Sequence, residues 1–264
     1  MSDSFDCVVI GSGPGGYVAA IRSAQLGMAT AVVERDHVVG GRCLNYACIP
    51  AKVVLRSADI LSEVQEASEF GITVAEPTVD FGAIVERRKK VIRTLTGGVS
   101  GLLKKNGIEL ISGQAALMAS GEVVVGDRTL TAAKAVILAT GSVKRPIPGT
   151  QFGGRVIGTE EVWARNALPK TLAVVGAGAS GTEIASAYAR LGTIVQLFEG
   201  LDRVLPTEDA DISAVALRGF RKQGIEVHTS TFVTDVATQE DRVTFTYGGA
   251  RGEAEWLVVA AGRG

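Results

Sequence analysis

Residues 5–34 and 171–199 are two copies of one unit, and a chain with that repeat is confined to very few folds. The first copy runs Phe5-Asp6-Cys7-Val8-Val9-Ile10, then Gly11, Gly13 and Gly16, an alanine-rich stretch to Leu26, and Ala29-Thr30-Ala31-Val32-Val33-Glu34. The second runs Thr171-Leu172-Ala173-Val174-Val175, then Gly176, Gly178 and Gly181, a stretch to Leu191, and Ile194-Val195-Gln196-Leu197-Phe198-Glu199. Gly176 follows Gly11 by 165 positions, and the closing glutamate follows the first glycine by 23 in both copies. An apolar run, a glycine loop, a helix-length segment and a second apolar run spell strand, helix and parallel strand.

The glycine spacing has a physical reading. The first glycine permits a tight turn, the second lets backbone approach a pyrophosphate, and the third lets the helix pack closely on the strand. Free N–H groups at the helix start then face the phosphates. The glutamate can accept hydrogen bonds from ribose hydroxyls and would repel a 2'-phosphate. One such loop alone could be only a turn with packing glycines. Two, each with strand, helix and acid in the same register, point to two dinucleotide sites.

The expected fold class is therefore α/β, with two Rossmann-like dinucleotide-binding domains built on parallel sheets, each with a small antiparallel β insertion. A length of 264 residues suits two domains, and Pro146, Pro148 and Gly149 place the division at 1–149 and 150–264. Between the repeats the pattern predicts a helix over 51–68 and an amphipathic segment over 81–105 that Gly97, Gly98 and Gly101 would break or loosen. Short strands are expected at 109–111, 122–125, 128–131 and 135–138, the last ending in Ala139-Thr140-Gly141. A helix over 209–223 and strands at 225–228, 231–237, 242–247 and 256–260 complete the second half.

Charge narrows the partners. With 27 Lys and Arg against 28 Asp and Glu, interspersed along the chain, there is no footprint for nucleic acid or an anionic membrane. The first residues show no basic segment followed by a long apolar one, so a cytoplasmic protein is expected. Small molecules are the expected partners.

Cysteine usage adds chemistry. Three cysteines are too few for a disulfide scaffold, yet Cys43 and Cys48 lie five apart and shortly after Glu34. A pair that close can join in a small disulfide ring and exchange electrons with a neighbouring cofactor. A zinc site or an inert pair is the alternative. Structural zinc wants four ligands, however, whereas Cys7 sits in an apolar strand with no histidine cluster, so no metal is expected. Lys52 follows Cys48 by four, which puts both on one face of a helix.

The segment Gly40-Gly41-Arg42-Cys43-Leu44-Asn45-Tyr46-Ala47-Cys48-Ile49-Pro50-Ala51-Lys52 resembles the GGxCxNxGCxPxK signature of the FAD-dependent pyridine nucleotide disulfide oxidoreductases. Cys43-Leu44-Asn45 with Cys48-Ile49-Pro50 is most similar to the dihydrolipoamide dehydrogenase branch of that family. The resemblance runs the length of the chain, through Ala139-Thr140-Gly141 to Ala261-Gly262-Arg263. It implies that Cys43 exchanges with a dithiol, that Cys48 lies against the flavin as a charge-transfer thiolate, and that Lys52 sits by the flavin. It further assigns Gly11, Gly13, Gly16, Glu34, Gly41, Lys52, Ala115, Thr140 and Gly141 to FAD, and Gly176, Gly178, Gly181, Glu199, Val233 and Gly262 to NAD. Glu183, two residues after Gly181, matches a glutamate facing flavin and nicotinamide; by itself it also reads as an ordinary first-turn helix acid.

The implied activity passes electrons from a dithiol through Cys43 and Cys48 and then FAD to NAD⁺. Its implied partners are dihydrolipoamide or the lipoyl domain of a 2-oxoacid dehydrogenase complex, with a homodimer at full length. An NAD(P)H-dependent disulfide or metal-ion reductase of the same family, or a non-catalytic flavin-binding fragment, are the alternatives. Glu199 favours NAD over NADP, whose phosphate would call for Arg or Lys there; Arg203 either serves such a phosphate or pairs with a carboxylate.

Two positions depart from the family pattern. Arg42 stands where Thr is usual, to read an anionic substrate or to reach solvent, and Ala47 stands where Gly is usual. Family members also continue past the Gly-Arg turn, so the rest of the FAD domain and the dimerisation domain, with its His–Glu pair, are expected to lie outside these residues. His37 and His228 read as surface or structural histidines. Without a general base, worth roughly 10²- to 10⁴-fold, the chain alone is expected to turn over little.

Overall fold

The computed structural model describes residues 2–264, which pack as two units: residues up to Pro50 with Lys89–Ser142, and Ala51–Arg88 with Val143–Gly264. In chain order the elements of the first half are β1 (Ser2–Ile10), α1 (Pro14–Gln25), β2 (Thr30–Glu34), α2 (Gly41–Asn45), α3 (Cys48–Gln65) and α4 (Phe81–Lys105). Four strands follow, β3 (Glu109–Ser112), β4 (Ala115–Leu117), β5 (Val123–Val125) and β6 (Arg128–Leu138). The second half holds β7 (Val156–Gly158), α5 (Thr159–Ala164), β8 (Thr171–Val175), α6 (Ala179–Arg190), β9 (Ile194–Phe198) and α7 (Ala210–Lys222). It ends with β10 (Glu226–His228), β11 (Val233–Thr238), β12 (Val243–Tyr247), β13 (Ala250–Ala254) and β14 (Trp256–Val259).

The first unit is built on a sheet of order β3-β2-β1-β6-β5-β4. β3, β2, β1 and β6 run parallel, and β6, β5 and β4 form the antiparallel meander. Strands buried on both faces need continuous apolar runs rather than alternation, and Cys7-Val8-Val9-Ile10 and Ala31-Val32-Val33 supply them. One face packs Cys7, Val9 and Val32 against Ala20 of α1 and Val99 and Leu103 of α4. The other packs Val8, Ile10 and Val33 against Ile111, Val123, Val125 and Leu130.

The second unit has a parallel sheet of order β10-β9-β8-β14-β7 and a separate antiparallel sheet, β11-β12-β13. The helical side of its core joins Ile184, Ala185 and Tyr188 of α6 to Trp163, to Val54 and Ala58 of α3, and to Phe81 and Val85 of α4. Two polar anchors hold this side. The Tyr188 hydroxyl donates to the Val162 carbonyl at 2.6 Å, and burial raises its pKa above the ordinary tyrosine value. The Arg88 guanidinium caps the end of α5, donating to the carbonyls of Trp163, Ala164 and Arg165. The other side buries Val175, Phe198 and Val259 beneath Val243 and Phe245 of the antiparallel sheet.

Several elements differ from the sequence expectation. α4 is one unbroken helix through Gly97, Gly98 and Gly101, where an added Cβ would meet nothing within 4 Å. The burial of Val99 and Leu103 outweighs the glycines' weak helix preference. β6 is one strand where two were expected, because it pairs with β1 along its length, with a register shift between Phe5 and Cys7. α2, β4, β7, α5 and β13 were not foreseen; they are short and gain their stability from packing or pairing rather than periodicity. Among the described residues, no helix is long and apolar enough to cross a membrane.

Candidate functional site

The two glycine loops repeat each other closely. Gly11 and Gly176 adopt φ of +102° and +101°, a region that only glycine enters readily, and a Cβ at either would strike Ala139 or Ala260 backbone. A Cβ on Gly16 would collide with the Gly11 carbonyl, and one on Gly181 with the Gly176 carbonyl. Each third glycine thus lets its helix settle onto the preceding turn. Gly13 and Gly178 are the N-caps of α1 and α6, with no side-chain cap bond. Above Gly178 an added Cβ would meet nothing within 4 Å, and above Gly13 only the Gly41 Cα at 3.9 Å.

The two carboxylates are held in the same way. Glu34 Oε2 accepts from the Ser12 N–H at 2.9 Å and the Ser12 hydroxyl at 2.6 Å, while Oε1 accepts from the Asp36 N–H at 3.0 Å. Glu199 Oε2 accepts from the Ala177 N–H at 2.7 Å, and Oε1 from the Leu201 N–H at 3.0 Å. Ser12 and Ala177, and Asp36 and Leu201, are again 165 apart. A carboxylate has about four acceptor positions, so both retain capacity for ribose hydroxyls. Open backbone at uncapped helix starts, beside a fixed acid with spare acceptors, fits a dinucleotide in each unit.

Beyond each acid the correspondence continues. The Gly113 N–H donates to the Glu34 carbonyl at 2.8 Å, and the Thr231 N–H to the Glu199 carbonyl at 2.9 Å. Ala115 and Val233 each lie two residues further on. Ala115 is half-buried, but Val233 is 5% exposed and its side chain belongs to the core, so that side chain is closed to a ligand. Thr140 and Gly141 follow β6, and Gly262 follows β14, at the carboxyl ends of parallel strands where open α/β sheets take ligands.

The thiols are tied to the first loop through backbone. The Gly40 N–H donates to the Ser12 carbonyl at 3.0 Å and lies 3.2 Å from the Ser12 hydroxyl oxygen, and both residues are buried. Gly41, at φ +57°, sits so near Gly13 that a Cβ would lie 2.6 Å from the Gly13 Cα. From there α2 carries Cys43, closed by Asn45 Nδ2 donating to the Val39 and Gly41 carbonyls at 3.0 Å each. α3 begins at Cys48. Both cysteines are free, Cys43 half-buried and Cys48 exposed. Burial, then the hydrogen bond and charge of Cys48, push the Cys43 thiol up to about 11, with Arg42 opposing. Cys43 therefore stays protonated near neutral pH.

Residues 5–264 match the model of the pyridine nucleotide-disulphide oxidoreductase family. The chain belongs to that family. It is 38% identical to a dihydrolipoyl dehydrogenase of Chlamydia pneumoniae, covering 100% of this chain and 57% of the relative. A dihydrolipoyl dehydrogenase of Zymomonas mobilis is 41% identical, over 96% of this chain and 55% of its own. Among solved structures, the HOCl-induced flavoprotein disulfide reductase RclA of Escherichia coli, in its Cu(II) complex, superposes with a TM-score of 0.85 at 26% identity. That match covers 99% of this chain and 57% of RclA. LpdA of Mycobacterium tuberculosis gives 0.84 at 27%, over 97% and 58%. The chain thus spans about half the length of the relatives it matches.

Within this pyridine nucleotide-disulphide oxidoreductase, Lys52 and Glu183 meet as an ion pair between Nζ and Oε1. Both side chains are substantially exposed, so the pair orients the ammonium more than it stabilises the fold. Arg203 turns to its own loop, donating to the Pro206 carbonyl at 3.2 Å rather than to Glu199. His37 is exposed, and His228 stacks on Phe198 with ring centroids 4.9 Å apart. Sequence reasoning missed Ser12 and Asn45. Ser12 lies inside the glycine motif at a position the pattern leaves open, so only the Glu34 geometry reveals it. Asn45 was visible in the signature, but its hydrogen-bonding job was not.

Proposed function

We propose that this chain is the nucleotide-binding and thiol-exchanging part of a dihydrolipoyl dehydrogenase-like flavoprotein. The unit of residues up to Pro50 with Lys89–Ser142 would take FAD and the unit of Ala51–Arg88 with Val143–Gly264 NAD, with dihydrolipoamide or the lipoyl domain of a 2-oxoacid dehydrogenase complex as electron donor and a homodimer as the working form. One observation carries the reading: the buried Gly40 to Ser12 bond joins the thiol-bearing turn directly to the backbone of the first dinucleotide loop. A dithiol pair so placed has an electron acceptor within the same unit.

In the oxidised form, a substrate thiolate attacks Cys43 Sγ, the sulfur–sulfur bond breaks, and Cys48 leaves as a thiolate. The second substrate thiol then attacks the substrate's own sulfur in the mixed disulfide, closing the substrate disulfide and releasing Cys43. Two electrons reach the pair and two protons leave the substrate. Cys43, whose pKa is pushed up to about 11, takes one proton, and the other goes to a base or solvent. When bound, FAD would supply the two-electron acceptor for the reduced pair and NAD the acceptor for a hydride. Lys52, one helical turn after Cys48, would bring positive charge to the bound flavin, and Glu183 holds its ammonium. Glu199 selects a cofactor with free ribose hydroxyls.

The test is anaerobic addition of dihydrolipoamide to the FAD-loaded chain. The bound flavin is expected to bleach, and Cys43→Ser or Cys48→Ser to abolish bleaching. Flavin that is bound yet stays oxidised would overturn the reading. A second reading, electron flow from NADH to a disulfide, draws on the likeness to RclA, which is named a disulfide reductase. Reoxidation of NADH-reduced flavin by a disulfide substrate would favour it.

A further inference from the structure

Phe232 is a large aromatic side chain that is 74% exposed, and it stands beside the acid of the second glycine loop. Its ring rests on Gly200, the residue after Glu199: a Cβ there would lie 2.6 Å from Cε1 and 3.0 Å from Cζ of the ring. The segment carrying it is clasped to the acid's own loop. The Thr231 N–H donates to the Glu199 carbonyl at 2.9 Å, and the Ser230 N–H to the Leu201 carbonyl at 2.7 Å. Ser230 adopts φ of +52° to make that turn, a conformation a serine holds only where its surroundings fix it. The ring is thus placed by backbone, while most of its surface is left without a partner.

What such a ring could meet follows from Glu199. A carboxylate that accepts from ribose hydroxyls holds the sugar, and the base leaves that sugar from the carbon next to the 2'-hydroxyl. A purine extending from a ribose at Glu199 therefore lies within one ring's breadth of the acid, where apolar surface is wanted. The matching position in the first unit, also one residue after the bond to the acid's carbonyl, is Gln114, which has no ring.

We propose that Phe232 is the residue on which the adenine of the second unit's dinucleotide stacks. This rests on the reading of that unit as a nicotinamide dinucleotide site. It makes the second site's grip on the adenosine half depend on an aromatic face that the first site lacks.

Titration of the whole chain with ADP-ribose, followed by calorimetry, tests it. Phe232→Ala is expected to weaken binding by about 5- to 150-fold, the range that base–aromatic stacking carries. Phe232→Tyr should bind within about twofold of the parent, and Phe232→Leu should lose most of what alanine loses, because stacking needs a π face. An unchanged thermal midpoint is expected in all three, since the ring is exposed. If Phe232→Ala binds as the parent does while Glu199→Ala weakens binding, stacking is overturned and the site reading stands. If the unmodified chain binds no ADP-ribose, the site reading fails and the role of Phe232 with it.

Discussion

The two glycine loops match in their backbone N–H bonds as far as the turn that follows each acid, and there they part. The Gly40 N–H donates to the Ser12 carbonyl at 3.0 Å, and the Leu205 N–H, 165 residues on, donates to the Ala177 carbonyl at 2.8 Å. Gly40 and Leu205 both have positive φ, +98° and +48°. After Gly40 comes Gly41, which fits against Gly13 and starts the helix of Cys43. After Leu205 comes Pro206, which has no N–H and a fixed φ, and no thiol follows it before the chain reaches α7. The thiol site is thus an elaboration of a turn that both loops form. The two thiols stand where the fold already brings backbone to the glycine loop.

The strongest way to break this comparison is to attack what the loops share. Gly16→Ala and Gly181→Ala each drive a methyl into a backbone carbonyl that a rigid turn holds in place. Each is expected to destabilise its unit by at least about 3 kcal/mol, at the upper end of overpacking, in urea unfolding. A large loss from one and a small loss from the other would show that the loops are alike only in outline.

The next effect separates the loops. Glu34 is buried and accepts three hydrogen bonds, one of them from the Ser12 hydroxyl, whereas Glu199 accepts two, from the N–H groups of Ala177 and Leu201, and Ala177 has no hydroxyl to add a third. Glu34→Gln is expected to cost about 2–3 kcal/mol and Glu199→Gln about 1–2, since each amide turns a donor toward an N–H. Ser12→Ala, which makes the first loop like the second, should cost about 1 kcal/mol and narrow that gap. A double-mutant cycle of Ser12→Ala with Glu34→Gln checks the coupling.

A third test belongs to the first loop alone. The Cys43 thiol lies at about 11 rather than 9.0 because of burial first and Cys48 second. In Cys48→Ala the alkylation midpoint of Cys43, followed by mass spectrometry against pH, should fall but stay above 9.0, since burial remains. Because the folded pKa is the raised one, the fold favours the protonated thiol. That contribution to stability is full below 9.0 and is lost as pH rises toward about 11. A midpoint that stays near 11 would mean that Cys48 contributes nothing.

The repeat, its glycines and its acids were legible because each obeys a local rule: strand period, φ sign, and a fixed distance to the ribose ligand. The cysteine pair was legible as a spacing. The turns that distinguish the loops were not, since nothing near Leu205 marks it as the partner of Gly40; a leucine hides a positive φ that a glycine announces. Residues 51–88 were likewise opaque, because the amphipathic pattern of α3 and α4 shows that they pack and not with what. Their Val54, Ala58, Phe81 and Val85 join the core of the second unit, a choice made by long-range contacts.

The smallest effect is the most discriminating for the shared turn. Leu205→Gly removes the strain of a branched side chain at φ +48°, worth about 1 kcal/mol, but it loosens the unfolded chain by about 0.4–1 kcal/mol and removes a half-buried side chain. The sum is expected within about 0.5 kcal/mol of zero in urea unfolding, with the bond from residue 205 to the Ala177 carbonyl kept, as slow amide exchange at that position would show. A loss well above that would mean that the leucine side chain, not the backbone bond, positions the turn. The second loop would then hold by packing what the first holds by glycine, and the likeness of the two would end before the thiols begin.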